Sequence, residues 1–363
     1  MAAADKDLHQ KRKAIRFCVA LGMVPYYEVN VTNVKDLTDK PELLTDIDVL
    51  GIDLKNGRVV KSLIDCKTTK TSPINRAFWA AGLRQYINAQ HAYVILKRSA
   101  PESHKISART LYVHLFDEAL FDAHAAALSP SYLDEDDYLF DMDRWHTLYD
   151  CFRLNPSFEK LGEFLRHGIP LELDAARAVR GILGTLRSAK GELDPAKDSH
   201  VAIYCYALFS FCLAMSVVVR DVFDVFDPKQ SKELFQTFLR DYIWGGRESY
   251  QLRKKLQVVM AAQNEHVSPE FELHAWAEFI ELTRTLLDSP ESVFYCCTPL
   301  LSCSLRTIKG PVEKFDAKLK DQFSKNNRQR QFAFRISNYL VAACGLPKEF
   351  DERVKSIIND ALA

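Results

Sequence analysis

The alternation of apolar and polar residues in the first third of the chain predicts a mixed α/β domain. Residues 5–22 carry apolar side chains at helical spacing and end at Gly22, which predicts a helix. Runs rich in β-branched, aromatic and aliphatic residues predict five strands, at residues 26–31, 45–54, 58–68, 91–97 and 111–116. Helical patterns at residues 74–90 and 103–110 interrupt them. The predicted order is helix, three strands, helix, strand, helix, strand.

Beyond about residue 117 the pattern changes to long helical segments punctuated by proline. We place the boundary at residue 127, which gives an α/β domain at 1–127 and an all-helical domain at 128–363 for the recognition of a substrate or partner. Residues 201–219 carry no charge and are long enough to span a bilayer. Their inner serines and the lack of Lys/Arg asymmetry at their flanks favour a buried helix over a membrane span.

Charge and composition narrow the class of protein. The 48 basic and 48 acidic side chains balance, so no global field steers the chain toward nucleic acid or membrane. The nine cysteines form no paired metal-ligand pattern, and we interpret them as reduced, buried thiols. The polar, charged N-terminus predicts a cytoplasmic protein. No phosphate-binding, dinucleotide or serine-hydrolase motif is found, so these activities have no support.

The most informative segment is residues 45–70, TDIDVLGIDLKNGRVVKSLIDCKTTK, in which two strand-like runs flank Asn56-Gly57. This dipeptide is the strongest short-range signal for a two-residue hairpin turn, and such a turn fixes the register of its strands. In that register Asp48 lies directly opposite Asp65. Two opposed carboxylates repel each other, which lowers stability unless a cation lies between them. The hairpin therefore predicts a pair of aspartates that binds a cation.

The same register places Asp46 opposite Lys67 and all four side chains on one face of the sheet. Carboxylates at this spacing suit Mg²⁺ or Mn²⁺, which bind a water, lower its pKa and stabilise charge on an attacked phosphate. We expect Lys67 to orient that water or neutralise the phosphate, and the Cys66 carbonyl to be a further ligand. The alternative is a solvated hairpin face in which Asp46 and Lys67 form an ion pair.

These residues resemble the PD-(D/E)xK nucleases, a superfamily that includes RecB-type and Mrr-type nucleases, type II restriction enzymes and archaeal Holliday-junction resolvases. The resemblance covers about residues 5–120 and rests on the order of the elements, on Asp48 and on the Asp65-Cys66-Lys67 motif. It implies an α/β restriction-endonuclease-like core, a mixed sheet flanked by helices, followed here by a large all-α domain. It implies Asp48, Asp65 and Lys67 as the catalytic centre and Mg²⁺ or Mn²⁺ as the cofactor.

Other family positions are matched less directly. RecB-type members carry a glutamine on the helix after the motif, for which Gln85 is the candidate, although their tyrosine one turn later is missing here. Thr45 stands in place of the motif's proline, so either Asp46 or Asp48 can be the principal metal ligand. Some members use a glutamate from the first helix. That helix has none here, and Glu28 on the first strand is the nearest substitute.

These features predict a Mg²⁺-dependent nuclease that acts on nucleic acid, DNA rather than RNA, and by analogy a bacterial restriction or antiviral defence effector. The alternative is a catalytically inactive, nuclease-like subunit that binds nucleic acid or scaffolds a complex. A third reading is a membrane-tethered nuclease that uses residues 201–219. A homodimer or a partner subunit is left open. A set of basic side chains could follow a phosphate backbone into the site, although for any one of them a solvated surface charge is the favoured interpretation: Lys11, Arg12, Lys13, Arg16, Lys70, Arg76, Arg84, Lys97 and Arg98.

Overall fold

The chain divides into two compact units, which are described here from a computed structural model. The structure describes residues 6–33, 42–227, 229–264, 271–324 and 327–363. The first unit consists of residues 1–150, 165–171 and 312–318, and the second comprises the remaining segments. The first unit thus continues past residue 127 and takes two later pieces of the chain.

The first unit is built on a five-stranded mixed sheet flanked by helices, and its order of elements confirms the predicted one. The elements are α1 (Leu8–Ala20), β1 (Val24–Thr32), β2 (Leu43–Lys55), β3 (Arg58–Lys67), α2 (Pro73–Tyr86), β4 (His91–Leu96), α3 (Glu102–Thr110), β5 (Val113–Asp117), α4 (Glu118–Leu128) and α5 (Met142–Cys151). The strands lie in the order β1-β2-β3-β4-β5. The first two pairings are antiparallel and the last two are parallel, with α2 and α3 as the connections between parallel strands.

The β2–β3 hairpin has the register that its turn residues predict. Asn56 and Gly57 adopt positive φ angles of 50° and 75°, as a type I′ turn requires. The ladder runs from Lys55 opposite Arg58 to Val49 opposite Ile64. Residues 48 and 65 are next along the two strands, so the turn brings them to the same level of the sheet.

Helix α1 packs closely on β2 because Gly51 has no side chain. A Cβ atom at Gly51 would lie 2.8 Å from Cys18 Sγ and 3.0 Å from Met23 Sδ. Phe17 and Cys18 on the same helix are fully buried. The small residue therefore lets α1 approach the strand that carries Asp48.

The second unit is helical. Its elements are α6 (Pro156–Glu163), α7 (Ala175–Ala189), α8 (Asp198–Val225), α9 (Lys232–Ile243), α10 (Arg247–Gln263), α11 (Trp276–Leu286), α12 (Pro290–Phe294), α13 (Cys297–Lys309), α14 (Glu313–Ser324, which begins in the first unit), α15 (Asn327–Cys344) and α16 (Glu349–Leu362). All nine cysteines lie in the described part of the chain, where they are buried and form no disulfide. The helical pattern read from the sequence is confirmed.

Helix α8 contains the uncharged stretch and lies inside the second unit. It is long and apolar enough to cross a membrane, but 94% of its most apolar window is buried among other residues. Ser304 Oγ of α13 donates a hydrogen bond to the Ala202 carbonyl, and Cys212 Sγ donates to the Val293 carbonyl. This packing agrees with the prediction of a buried helix.

We expect Gly57→Ala to destabilise the protein by about 1 kcal/mol or more, because a Cβ atom disfavours the left-handed backbone of the turn. Gly184→Ala is the matched control. Gly184 lies within α7 with open space around its Cα, so the added methyl group should raise the unfolding free energy by about 0.5–1 kcal/mol. Urea unfolding of both variants measures the two effects. Equal stability of Gly57→Ala and the wild type would contradict the type I′ turn.

Candidate active site

Two buried aspartates mark the end of the β2–β3 hairpin that lies away from its turn. Asp48 and Asp65 are 5% and 2% exposed. Cys66 donates its backbone N–H to Asp48 Oδ2 at 2.7 Å, so the β2 carboxylate reaches across to β3. Burial of two like charges at one level of the sheet is costly unless cations compensate for them.

Lys67 is the first of these cations. Its Nζ lies 3.6 Å from Asp65 Oδ1 and 4.0 Å from Asp48 Oδ2. Asp65 and Lys67 are two residues apart on β3, and their side chains therefore share one face of the sheet. The side chain of Lys67 is 27% exposed, so its ammonium group also meets solvent. The structure brings together the three residues that the motif predicts.

Lys11 of α1 is the second cation. Its Nζ lies 2.9 Å from Glu28 Oε1 and 3.5 Å from Asp48 Oδ1, and its side chain is only 8% exposed. The close contact of α1 with β2 at Gly51 explains how a first-helix residue reaches this point.

Glu28 joins the site through an unusual backbone conformation. The β1–β2 ladder pairs Tyr27 with Val49 and Val29 with Ile47, which leaves Glu28 opposite Asp48 but outside the ladder. Its φ angle is +50°, a region that non-glycine residues seldom adopt. Such strain of about 1–3 kcal/mol persists where the surroundings hold the residue in place, and it concentrates at functional sites. The ion pair with Lys11 is one such restraint.

Arg76 of α2 is the third cation. Its Nε donates to Asp65 Oδ2 at 2.6 Å, and its second terminal nitrogen donates to Oδ1, so the guanidinium holds both carboxylate oxygens. The guanidinium carbon also lies 3.5 Å from the centroid of the Trp79 ring. A forked guanidinium–carboxylate pair stacked on an aromatic ring is an arrangement that lysine cannot reproduce.

We call these six residues the ion-pair network: Lys11, Glu28, Asp48, Asp65, Lys67 and Arg76. It contains three carboxylates and three cations. Burial, and after it the charge on Asp65, raises the pKa of Asp48 from its usual 3.8 to about 6. Lys67, the Cys66 N–H and Lys11 oppose this shift without cancelling it. The cations near Asp48 therefore do not fully offset the cost of burying its charge.

The donors suit a hard divalent cation in chemistry, although they do not form a complete metal site. Among the residues that the structure describes, no group of three His, Cys, Asp or Glu side chains is placed to hold a metal ion. Mg²⁺ commonly takes only one or two carboxylates from a protein, and water and substrate phosphate supply the other ligands. Asp48 and Asp65 meet that smaller requirement in the number of carboxylates. Arg76, however, already holds both oxygens of Asp65.

Three of the predicted site residues are not part of the network: Cys66, which contacts it through its N–H, and Asp46 and Gln85. Asp46 is exposed and pairs with Asn30 of β1, and among the described residues it forms no ion pair with Lys67. The interpretation as an Asp46–Lys67 pair is therefore wrong. Gln85 is exposed near the end of α2, about 13 Å along the helix axis from Arg76. Its role in catalysis remains a prediction.

Lys11 and Arg76 form direct ion pairs with the carboxylates of the network, whereas the sequence indicated them only as candidates for contact with a nucleic-acid phosphate backbone. Their basic character and their positions on α1 and α2 were visible in the sequence. The pairing with Glu28 and Asp65 was not, because it depends on how the helices pack on the sheet. Comparison with models of known families, with curated proteins and with solved structures finds no match to this chain.

The raised pKa of Asp48 predicts a specific pH dependence of stability. The folded state favours the protonated carboxyl, so wild-type stability contributed by this group is present below pH 3.8 and is lost as pH rises through about 6. Asp48→Asn cannot ionise. Relative to the wild type, its unfolding free energy should therefore increase by on the order of 2 kcal/mol between pH 4 and pH 7. Chemical unfolding in a chelator measures this difference, and a pH-independent difference would contradict the assigned environment of Asp48.

Proposed function

We propose that the first unit is a metal-dependent nuclease with a restriction-endonuclease-like core of the PD-(D/E)xK type. The observation that carries this proposal is the burial of Asp48 and Asp65 at one level of the hairpin, with Lys67 beside both carboxylates. A structural role explains this poorly, because burial and then the charge on Asp65 raise the pKa of Asp48, so the site disfavours the charged carboxylate. In a site that hydrolyses phosphodiesters, such a pair of carboxylates would bind the metal ion.

Asp48, Asp65 and the Cys66 carbonyl would hold the metal, with Glu28 next to Asp48 as a further candidate ligand. Mg²⁺ or Mn²⁺ in that place would lower the pKa of a bound water and stabilise negative charge on the phosphate. Asp46 is the least suited of the predicted ligands because its side chain is exposed and its strand partner is Asn30.

The chain's own residues would then position the substrate. Lys67 has a partly exposed ammonium group beside both aspartates, where it can contact a phosphate oxygen or orient a water molecule. The N–H of Cys66 fixes one oxygen of Asp48, so that this carboxylate keeps its orientation. Preorganised charge of this kind lowers the barrier because little rearrangement is needed during the reaction.

This chemistry supports a nucleic-acid substrate. We propose DNA rather than RNA. Recognition of the substrate or of a partner would be the role of the second unit, and a homodimer or partner subunit is compatible with it. A cytoplasmic role in bacterial restriction or antiviral defence remains the analogy that best suits a small nuclease with its own helical unit.

A second candidate function is a nuclease-like module that binds nucleic acid without cutting it. The observation that favours it is the balance of the ion-pair network, in which Arg76 neutralises Asp65 and Lys11 neutralises Glu28. Such a network can hold the fold together without a metal. The basic residues near the sheet would then contact phosphate groups only.

Cleavage of labelled single- and double-stranded DNA and RNA in Mg²⁺ or Mn²⁺ tests the two functions. Asp65→Asn should abolish cleavage, and Lys67→Ala should lower the rate by about 10²–10³-fold, because each removes a charge that acts on the phosphate or its metal. Asp53→Asn is the matched control. Asp53 is also buried on β2 but caps the Leu54 N–H and pairs with Lys55, outside the network.

The control should retain the wild-type rate, with thermal unfolding used to show that all variants remain folded. Equal loss of activity in Asp53→Asn and Asp65→Asn would mean that the hairpin has only a structural role. If the wild type binds nucleic acid in a salt-sensitive way but does not cleave it, the proposed nuclease activity is overturned and the binding module is favoured.

A further inference from the structure

Arg76 and a metal ion require the same atoms. The guanidinium of Arg76 holds both oxygens of Asp65, and the Asp65 side chain is only 3% exposed. Inner-sphere coordination of Mg²⁺ by Asp65 needs one of these oxygens at about 2 Å. Metal binding at Asp65 is therefore in direct competition with Arg76.

A phosphodiester is the natural alternative partner for Arg76. The planar fork of a guanidinium matches two oxygens of a phosphate as well as it matches a carboxylate. The side chain of Arg76 is 19% exposed, so it lies at the edge of the network and not in its interior. The Trp79 ring supports the guanidinium from one face and would continue to do so after a small rotation.

Lys11 and Lys67 are less suited than Arg76 to exchange a carboxylate for a phosphate. Lys11 is almost fully buried between Glu28 and Asp48. Lys67 already lies beside both aspartates, but at distances that leave their oxygens accessible. Arg76 alone among the three blocks both oxygens of one carboxylate.

We propose that Arg76 exchanges Asp65 for a substrate phosphate, and that this exchange couples nucleic-acid binding to metal binding. The proposal rests on the proposed function. In the free protein Arg76 occupies Asp65 and weakens its affinity for metal. When nucleic acid binds, Arg76 pairs with a phosphate, Asp65 becomes available, and the same phosphate can complete the coordination of the metal.

Linkage makes the coupling measurable in both directions. If nucleic acid increases the affinity for metal by a given factor, the metal increases the affinity for nucleic acid by the same factor. Couplings of this kind are typically about 5–150-fold, and for the exchange of one bidentate pair we expect about 10-fold. Arg76 is the only residue of the network whose removal should both tighten metal binding in the free protein and reduce the coupling.

The test measures Mn²⁺ binding to the full chain by the electron paramagnetic resonance signal of free Mn²⁺. The titration is made without nucleic acid and with 20-residue phosphorothioate DNA, single- and double-stranded, which resists cleavage. In the wild type the DNA should tighten Mn²⁺ binding about 10-fold. Arg76→Gln should bind Mn²⁺ about 10-fold more tightly than the wild type without DNA, and DNA should then change that affinity less than about 2-fold.

Arg109→Gln is the matched control, because Arg109 is an exposed arginine near the end of α3 in the same unit and lies outside the network. It should retain the wild-type affinity and coupling. If Arg76→Gln is unstable, Mn²⁺ should raise its melting temperature more than that of the wild type, since the metal replaces the missing cation.

The outcomes separate this inference from the proposed function. If the wild type and Arg76→Gln bind Mn²⁺ equally tightly and show equal coupling, the exchange is overturned and the metal site stands. If neither binds Mn²⁺ with or without DNA, the metal-dependent function fails and the exchange fails with it. Loss of Mn²⁺ binding in Arg76→Gln alone would show that Arg76 supports the site and does not compete for it.

Discussion

The repulsion between two buried aspartates is the constraint on which the organisation of the first unit depends. Asp48 and Asp65 meet at one level of a hairpin, and neither is accessible enough for water to screen its charge. Three separate elements respond to this constraint: α1 contributes Lys11, β3 contributes Lys67, and α2 contributes Arg76. The electrostatics of the pair thus ties two helices to the centre of the sheet.

The parts of this arrangement that follow from local chemistry could be predicted from the sequence. Asn56-Gly57 determines its own turn, the turn determines the register, and the alternation of a strand places Asp65 and Lys67 on one face. The pattern of apolar residues also predicts the order of helices and strands, because each element must bury one face. These predictions needed no knowledge of long-range contacts.

The partners of the aspartates could not be predicted, because they depend on packing between distant segments. Lys11 reaches Asp48 because Gly51 permits a close approach of α1, and nothing in the sequence near Lys11 indicates it. The left-handed backbone of Glu28 is another such case, since glutamate rarely adopts it without tertiary restraint. The expected Asp46–Lys67 ion pair was wrong because the alternation of side chains along a strand does not show where two strands cease to pair.

The order of the chain determines when the first unit can be completed during synthesis. Its last piece, residues 312–318, includes Asp316, which accepts a hydrogen bond from Tyr138, and Val312, whose N–H donates to the same tyrosine oxygen. During synthesis these residues follow residues 151–164 and 172–311, which make up most of the second unit. Completion of the first unit is therefore a late event in biosynthesis, and a nascent chain would carry the hairpin aspartates well before their unit is whole.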